Sequence, residues 1–212
     1  MKQQLFNIGR YLSAMFVCLA LVFSSPAWAT HATEPAKTVH QLVAPSLSCS
    51  AVMVAPEWAL TARHCMTPDT LSIIIDGVEY PALEGYGNPA LDLALLYIPQ
   101  APCPCAKPAA VRVTEGETII IIGFPYAIGK VVTDGEFQGR VTIDGIEYGM
   151  STAPARPGNS GGGVFNGKGE LVGILSMGDL SGYLTFFVEI DPLVNPIIPQ
   201  KFKTRIEFPQ VK

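Results

Sequence analysis

Short apolar runs rich in β-branched residues recur along the chain, at residues 50–54, 59–62, 71–75, 93–97, 117–122, 138–143, 163–165, 171–176 and 184–188. Each is long enough for a strand and too short for an ordinary helix. The turn dipeptides Asp76-Gly77, Asp134-Gly135, Asp144-Gly145 and Asn166-Gly167 fall between or beside these runs, and each tolerates the positive φ of a tight hairpin. Apolar periodicity of 3.6 residues is sustained nowhere, and 18 prolines punctuate the chain. The pattern predicts an antiparallel all-β protein. Residues 99–108 hold four prolines and two cysteines and read as a linker between two strand-rich halves, 30–108 and 109–196. Residues 197–212 form a tail in which 201–208 alternate strictly, with Phe202, Thr204, Ile206 and Phe208 on one face and Lys201, Lys203, Arg205 and Glu207 on the other. That is the pattern of an edge strand with one wet face.

The first 29 residues break this pattern. Lys2 and Arg10 precede an uncharged apolar run over 11–23, then Ser24-Ser25-Pro26 and the small-residue site Ala27-Trp28-Ala29. This is the layout of a cleaved export signal, too short for a spanning helix, so a secreted or periplasmic chain without stable membrane association is expected. Loss of Lys2 and Arg10 moves the formal net charge from −4 to −6. With no basic block, nucleic acid is an unsuitable partner. Cys18 leaves with the signal, and Cys49, Cys65, Cys103 and Cys105 remain. An even count in an exported chain reads as a disulfide framework, for which three pairings are possible. Cys103-Pro104-Cys105 lacks zinc-ligand spacing, and no metal or organic cofactor is expected.

Chemistry concentrates at Pro157-Gly158-Asn159-Ser160-Gly161-Gly162-Gly163, where a serine sits among four glycines ahead of an apolar strand. Glycines let backbone N–H groups converge on one point, as an oxyanion hole requires. A serine nucleophile also needs a base. His31 and His40 precede the first strand expected, whereas His64 follows one directly, beside Cys65. Asp92 heads the apolar run at 93–97 and can orient an imidazole from a partly buried position, with Asp69 and Asp76 as its rivals.

Four ordered motifs carry a resemblance over about residues 42–190. Ser48-Cys49-Ser50-Ala51-Val52 through Leu60-Thr61-Ala62-Arg63-His64-Cys65 resembles the histidine region of trypsin- and chymotrypsin-like serine proteases. Leu91-Asp92-Leu93-Ala94-Leu95-Leu96 resembles their aspartate strand, Gly158-Asn159-Ser160-Gly161-Gly162 their serine loop, and Leu171 to Gly178 the strand beside their cleft. Asn159 in place of an aspartate and the absence of an activation sequence make the chain similar to bacterial Deg/Htr proteases, although Gly163 stands where proline is usual and too few residues follow for their appended peptide-binding module. The resemblance implies two antiparallel six-stranded β-barrels of chymotrypsin-like type with the active site between them. It implies a Cys49–Cys65 disulfide, a His64–Asp92–Ser160 triad, and an oxyanion hole made by the N–H groups of Gly158 and Ser160. The primary pocket would be lined by Pro154, Ala155, Ser176, Met177, Gly178 and Gly182, none of them acidic. The implied activity is hydrolysis of protein or peptide substrates after small or medium apolar residues. The rival reading is a catalytically idle secreted binding protein on the same fold, which the presence of all three triad residues opposes.

Overall fold

The computed structural model describes residues 32–88, 90–179 and 182–190, together with the backbone of 204–207; the export signal expected over 1–29 lies outside them. A short helix α1 (Thr33–Thr38) leads into β1 (Val39–Ala44), β2 (Leu47–Ala55), β3 (Trp58–Ala62), β4 (Ser72–Ile75), β5 (Val78–Pro81), β6 (Glu84–Asn88) and β7 (Leu93–Tyr97). After the proline-rich linker come β8 (Thr118–Gly123), β9 (Val131–Ile143), β10 (Ile146–Ser151), β11 (Gly163–Asn166), β12 (Leu171–Gly178) and β13 (Thr185–Glu189). A final strand, β14 (Thr204–Glu207), pairs with β6. Every named strand pair is antiparallel.

The second half closes into a six-stranded barrel in the order β10-β13-β12-β11-β8-β9. The first half departs from the expected six-stranded barrel. It is an eight-stranded sheet, β14-β6-β7-β3-β2-β1-β4-β5. Both edges of β6 are occupied, one by β7 and one by β14, so β6 has no ladder left to offer β4 or β5. The gap is bridged instead at the link between β5 and β6, where Ala82 N–H donates to Leu71 O (2.8 Å) and Leu83 N–H to Tyr97 O (2.9 Å). Leu42, Met53, Ile73, Ile75 and Leu96 fill the interior so enclosed.

Apolar runs that do not alternate with polar residues are explained by a second core. Ile119 and Ile121 of β8 face the barrel interior with Phe137, Val164 and Phe187. Ile120 and Ile122 face the other way and pack with Phe165 and Ile174 against Val52, Leu60 and Leu95 of the first half. Both faces of β8 are therefore dry, as a continuous apolar run requires. The linker is held to both halves, with Ala106 N–H on Met53 O (2.8 Å) and Ala109 N–H on Leu171 O (2.9 Å).

Two of the four turn dipeptides make two-residue hairpins with positive φ at both positions: Asp76-Gly77 (+49°, +81°) and Asp144-Gly145 (+50°, +81°). Asp134-Gly135 makes none, because it lies inside the 13-residue β9. A Cβ at Gly135 would come within 2.2 Å of the Ala153 backbone, so glycine is needed there for close approach rather than for a turn. At Asn166-Gly167 the loop is longer, with Asn166 Oδ1 accepting from the N–H groups of Lys168 and Glu170 (both 3.0 Å) and the positive φ falling on Gly169.

His40, expected ahead of the strands, lies on β1, only 4% exposed, and its Nε2 has no hydrogen-bond partner among the described residues. Burial, reinforced by the charge of Lys130 and opposed by Asp76 and the Lys37 backbone, lowers its pKa to about 4. An unfolded histidine takes up its proton near 6.5, so the native state is favoured above that pH and loses stability as pH falls toward 4. By pH 5 the loss is about 2 kcal/mol relative to pH 7.5. Urea midpoints at the two pH values check this, and His40→Gln is expected to flatten the difference.

Candidate active site

His64 is carried by a single 3₁₀ turn, Arg63–Cys65, directly after β3. That turn is tied down on both sides. Cys65 and Cys49 of β2 lie with their sulfurs at bonding distance and their Cα atoms 6.2 Å apart. Arg63 N–H donates to the Asp92 carbonyl (3.0 Å). Asp92 itself has φ of +48°, a left-handed conformation that aspartate tolerates better than most residues. This places its carboxylate under the imidazole. His64 Nδ1 is 2.9 Å from Asp92 Oδ2 and 3.2 Å from Oδ1, and the His64 backbone N–H donates to Oδ1 (3.0 Å). The Ser176 hydroxyl donates to Oδ2. Burial pushes the Asp92 carboxyl up, but the hydrogen bonds from His64 and Ser176 and the His64 charge outweigh it, and the net shift is downward. Asp92 is thus held as an anion whose acceptor positions fix Nδ1 as the protonated nitrogen and leave Nε2 free to accept a proton.

Ser160 lies in the same cleft, of about 840 Å³, as His64 and Asp92. Its hydroxyl donates to the Ser176 carbonyl (3.1 Å), and among the described residues no hydrogen bond joins it to His64. Asp92 and His64 are directly paired, and Ser160 shares their cleft. The N–H groups of Gly158 and Ser160 donate to no acceptor among the described residues. Gly158 has φ of +99°, and a Cβ there would meet Phe124 O at 2.5 Å, so only glycine fits.

Ala155, Ser176, Met177, Gly178 and Gly182 line the cleft. Pro154 is not part of the lining; its carbonyl accepts from Thr133 Oγ1 (2.7 Å). Tyr126, Arg156, Pro157, Leu175 and Asp179 complete the wall. The role of Ser176 exceeds the pocket-wall position read from the sequence, since it bonds both Asp92 and Ser160. Asp179 Oδ1 accepts from Leu184 N–H (3.0 Å), and Gly182 N–H donates to Asp179 O (3.1 Å). The ligand atoms of Cys49, His64 and Cys65 lie within 4.8 Å of one another, but two sulfurs at bonding distance offer no thiolates to a cation.

A family model described as the trypsin-like peptidase domain matches residues 49–174, more than half of the chain, and takes in His64, Asp92 and Ser160. The chain belongs to this family. Among relatives of the trypsin-like peptidase kind, a probable periplasmic DegP-like serine endoprotease of Pseudomonas putida is 30% identical over 168 residues, 73% of this chain and 35% of that protein. The serine endoprotease DegS of Escherichia coli K12 is 32% identical over 145 residues, 64% of this chain and 41% of its own length. The chain thus spans about a third of the length of the Pseudomonas relative. In three dimensions it is similar to an HtrA-type protease, AlgW, solved with a tripeptide, at a TM-score of 0.72 and 26% identity, covering 77% of this chain and 60% of that one. These likenesses bear out the Deg/Htr-type kinship expected from the sequence and the chymotrypsin-like fold.

Proposed function

We propose that the chain is an exported serine endopeptidase acting through Ser160, His64 and Asp92. The observation that carries this reading is the Asp92 carboxylate, kept ionised and turned onto His64 Nδ1 within the cleft that Ser160 shares. His64 Nε2 takes the Ser160 proton as the oxygen attacks the scissile carbonyl, the N–H groups of Gly158 and Ser160 receive the oxyanion, and protonated His64 releases the leaving amine. Water then repeats the cycle on the acyl-enzyme. Bridging of Cys49 with Cys65 would fix the backbone on either side of this base.

The primary pocket favours small or medium apolar residues. Ala155, Met177, Gly178 and Gly182 give it an apolar wall with room beside the glycines. Lysine and arginine are disfavoured, because the Asp179 carboxylate is engaged by Leu184 N–H and the Arg156 guanidinium, bonded to Ala155 O (2.8 Å), stands at the same cleft. A tagged peptide phosphonate with an apolar residue before the phosphorus tests the reading. The expected result is stoichiometric labelling on the tryptic peptide that carries Ser160, abolished in His64→Ala. A wild-type protein that stays unlabelled would favour the idle binding protein instead.

A further inference from the structure

We propose that Ser50, through its hydroxyl, is a positioning residue that sets the oxyanion-binding loop from the opposite half of the molecule. The inference rests on the peptidase reading of the site and adds a residue outside the cleft. Ser50 lies on β2 within the apolar stretch Cys49–Val54 and is wholly buried. A hydroxyl in such a place is costly unless it is bonded on every side. Ser50 uses all of its polar groups, and two of them go to the nucleophile loop. Its N–H donates to Ser160 O (2.8 Å), and its hydroxyl donates to Gly158 O (2.8 Å). The hydroxyl also accepts from Phe124 N–H (2.9 Å), and the Ser50 carbonyl accepts from Thr61 Oγ1 (2.8 Å).

The geometry of the loop shows why this matters. In a trans peptide the C=O and the next N–H point in opposite directions, so a pinned carbonyl aims its neighbour's N–H. The Pro157 carbonyl accepts from Tyr126 N–H (2.7 Å), which aims the Gly158 N–H; the Asn159 carbonyl accepts from Gly162 N–H (2.8 Å), which aims the Ser160 N–H. Ser50 pins the two remaining carbonyls, those of Gly158 and Ser160. Through Phe124 it also holds the segment that carries Tyr126. The loop has few side chains of its own to pack, and at Gly161 a Cβ would come within 2.1 Å of Ser50 O, so backbone lies directly on backbone. With the hydroxyl removed, Gly158 O and Phe124 N–H both lose their partner, and the peptide between Pro157 and Gly158 gains freedom to turn its carbonyl toward the cleft. Preorganised donors are worth most in the transition state, so the loss falls on kcat.

The test compares Ser50→Ala with wild type on one chromogenic peptide. The expected result is a fall in kcat of about 10- to 100-fold with KM changed less than about twofold, because substrate ground-state binding does not use the oxyanion donors. Affinity for a peptide aldehyde, which forms a tetrahedral adduct, should fall in step with kcat, whereas affinity for the matching peptide amide should not. Ser50→Thr, which restores the hydroxyl, is expected to recover most of the loss, and Ser50→Gly, which deletes the hydroxyl together with Cβ, to repeat the kcat and KM split. Hydrogen exchange over residues 157–162, read by mass spectrometry, is expected to quicken in Ser50→Ala. Wild-type kcat in Ser50→Ala, or a loss shared equally by aldehyde and amide binding, overturns the proposal. If wild type itself hydrolyses nothing, the peptidase reading fails, and the exchange rates still decide whether Ser50 holds the loop.

Discussion

Replacing Ser160 by alanine is expected to lower peptide hydrolysis on the order of 10⁴-fold or more while leaving the fold intact. The fold has little to lose, since among the described residues the Ser160 hydroxyl makes one hydrogen bond, to the Ser176 carbonyl, from a partly exposed position. The backbone of the same residue is far more engaged. Its carbonyl is held by Ser50 N–H, and its neighbour Gly161 donates to Leu175 O (2.8 Å), and none of this depends on the side chain. His64→Ala is expected to cost a similar factor. The double variant should cost little more, because a nucleophile without its base and a base without its nucleophile are equally idle. Turnover measured on one peptide for the three variants, beside thermal melts, checks the expectation; additive losses would mean that the two residues do not act as a unit.

Asp92→Asn is the second large effect, on the order of 10⁴-fold in kcat at neutral pH with KM little changed. The asparagine keeps what the fold needs. It tolerates the φ of +48°, and its carbonyl oxygen can still accept from the His64 backbone N–H. The chemistry differs, because an amide nitrogen facing His64 Nδ1 is a donor. Nδ1 must then be the unprotonated nitrogen, and Nε2 carries the proton it was to accept. Steady-state kinetics of Asp92→Asn, with circular dichroism to confirm the fold, measure this directly. Retention of more than about a tenth of wild-type kcat would remove Asp92 from its proposed role.

The fold class and the members of the candidate site were legible in the sequence for the same reason: each leaves a local mark. Strands that line a core leave β-branched runs, and the Asp76-Gly77 and Asp144-Gly145 hairpins leave the dipeptide that their positive φ values demand. Three strands without such a run left no mark. The burial of β5 is slight, β6 is built around glycine, and β1 carries His40 and Gln41 among its apolar positions. Asp134-Gly135 misled because glycine serves close packing as readily as turning, and only the Ala153 backbone, just past the neighbouring β10, distinguishes the two. Pro154 was placed in the pocket by resemblance, while its hydrogen bond with Thr133 depends on how β9 runs. The role of Ser50 had a faint signal: a hydroxyl at the head of the apolar run 50–54 needs a partner. What no sequence pattern could supply is the partner's identity, 108 residues away.

The apolar layer shared by the two halves has a consequence for how the molecule comes apart. Because Ile120 and Ile122 belong to one core and Ile119 and Ile121 to another, the same four-residue stretch is a structural wall for both. Neither half can melt without stripping a face from the other, so the two strand systems are thermodynamically a single cooperative unit although they are successive in the chain. Cutting the polypeptide within the 99–108 linker would yield two fragments that each expose a greasy flank, and complementation in trans would have to restore that flank before any cleft could form.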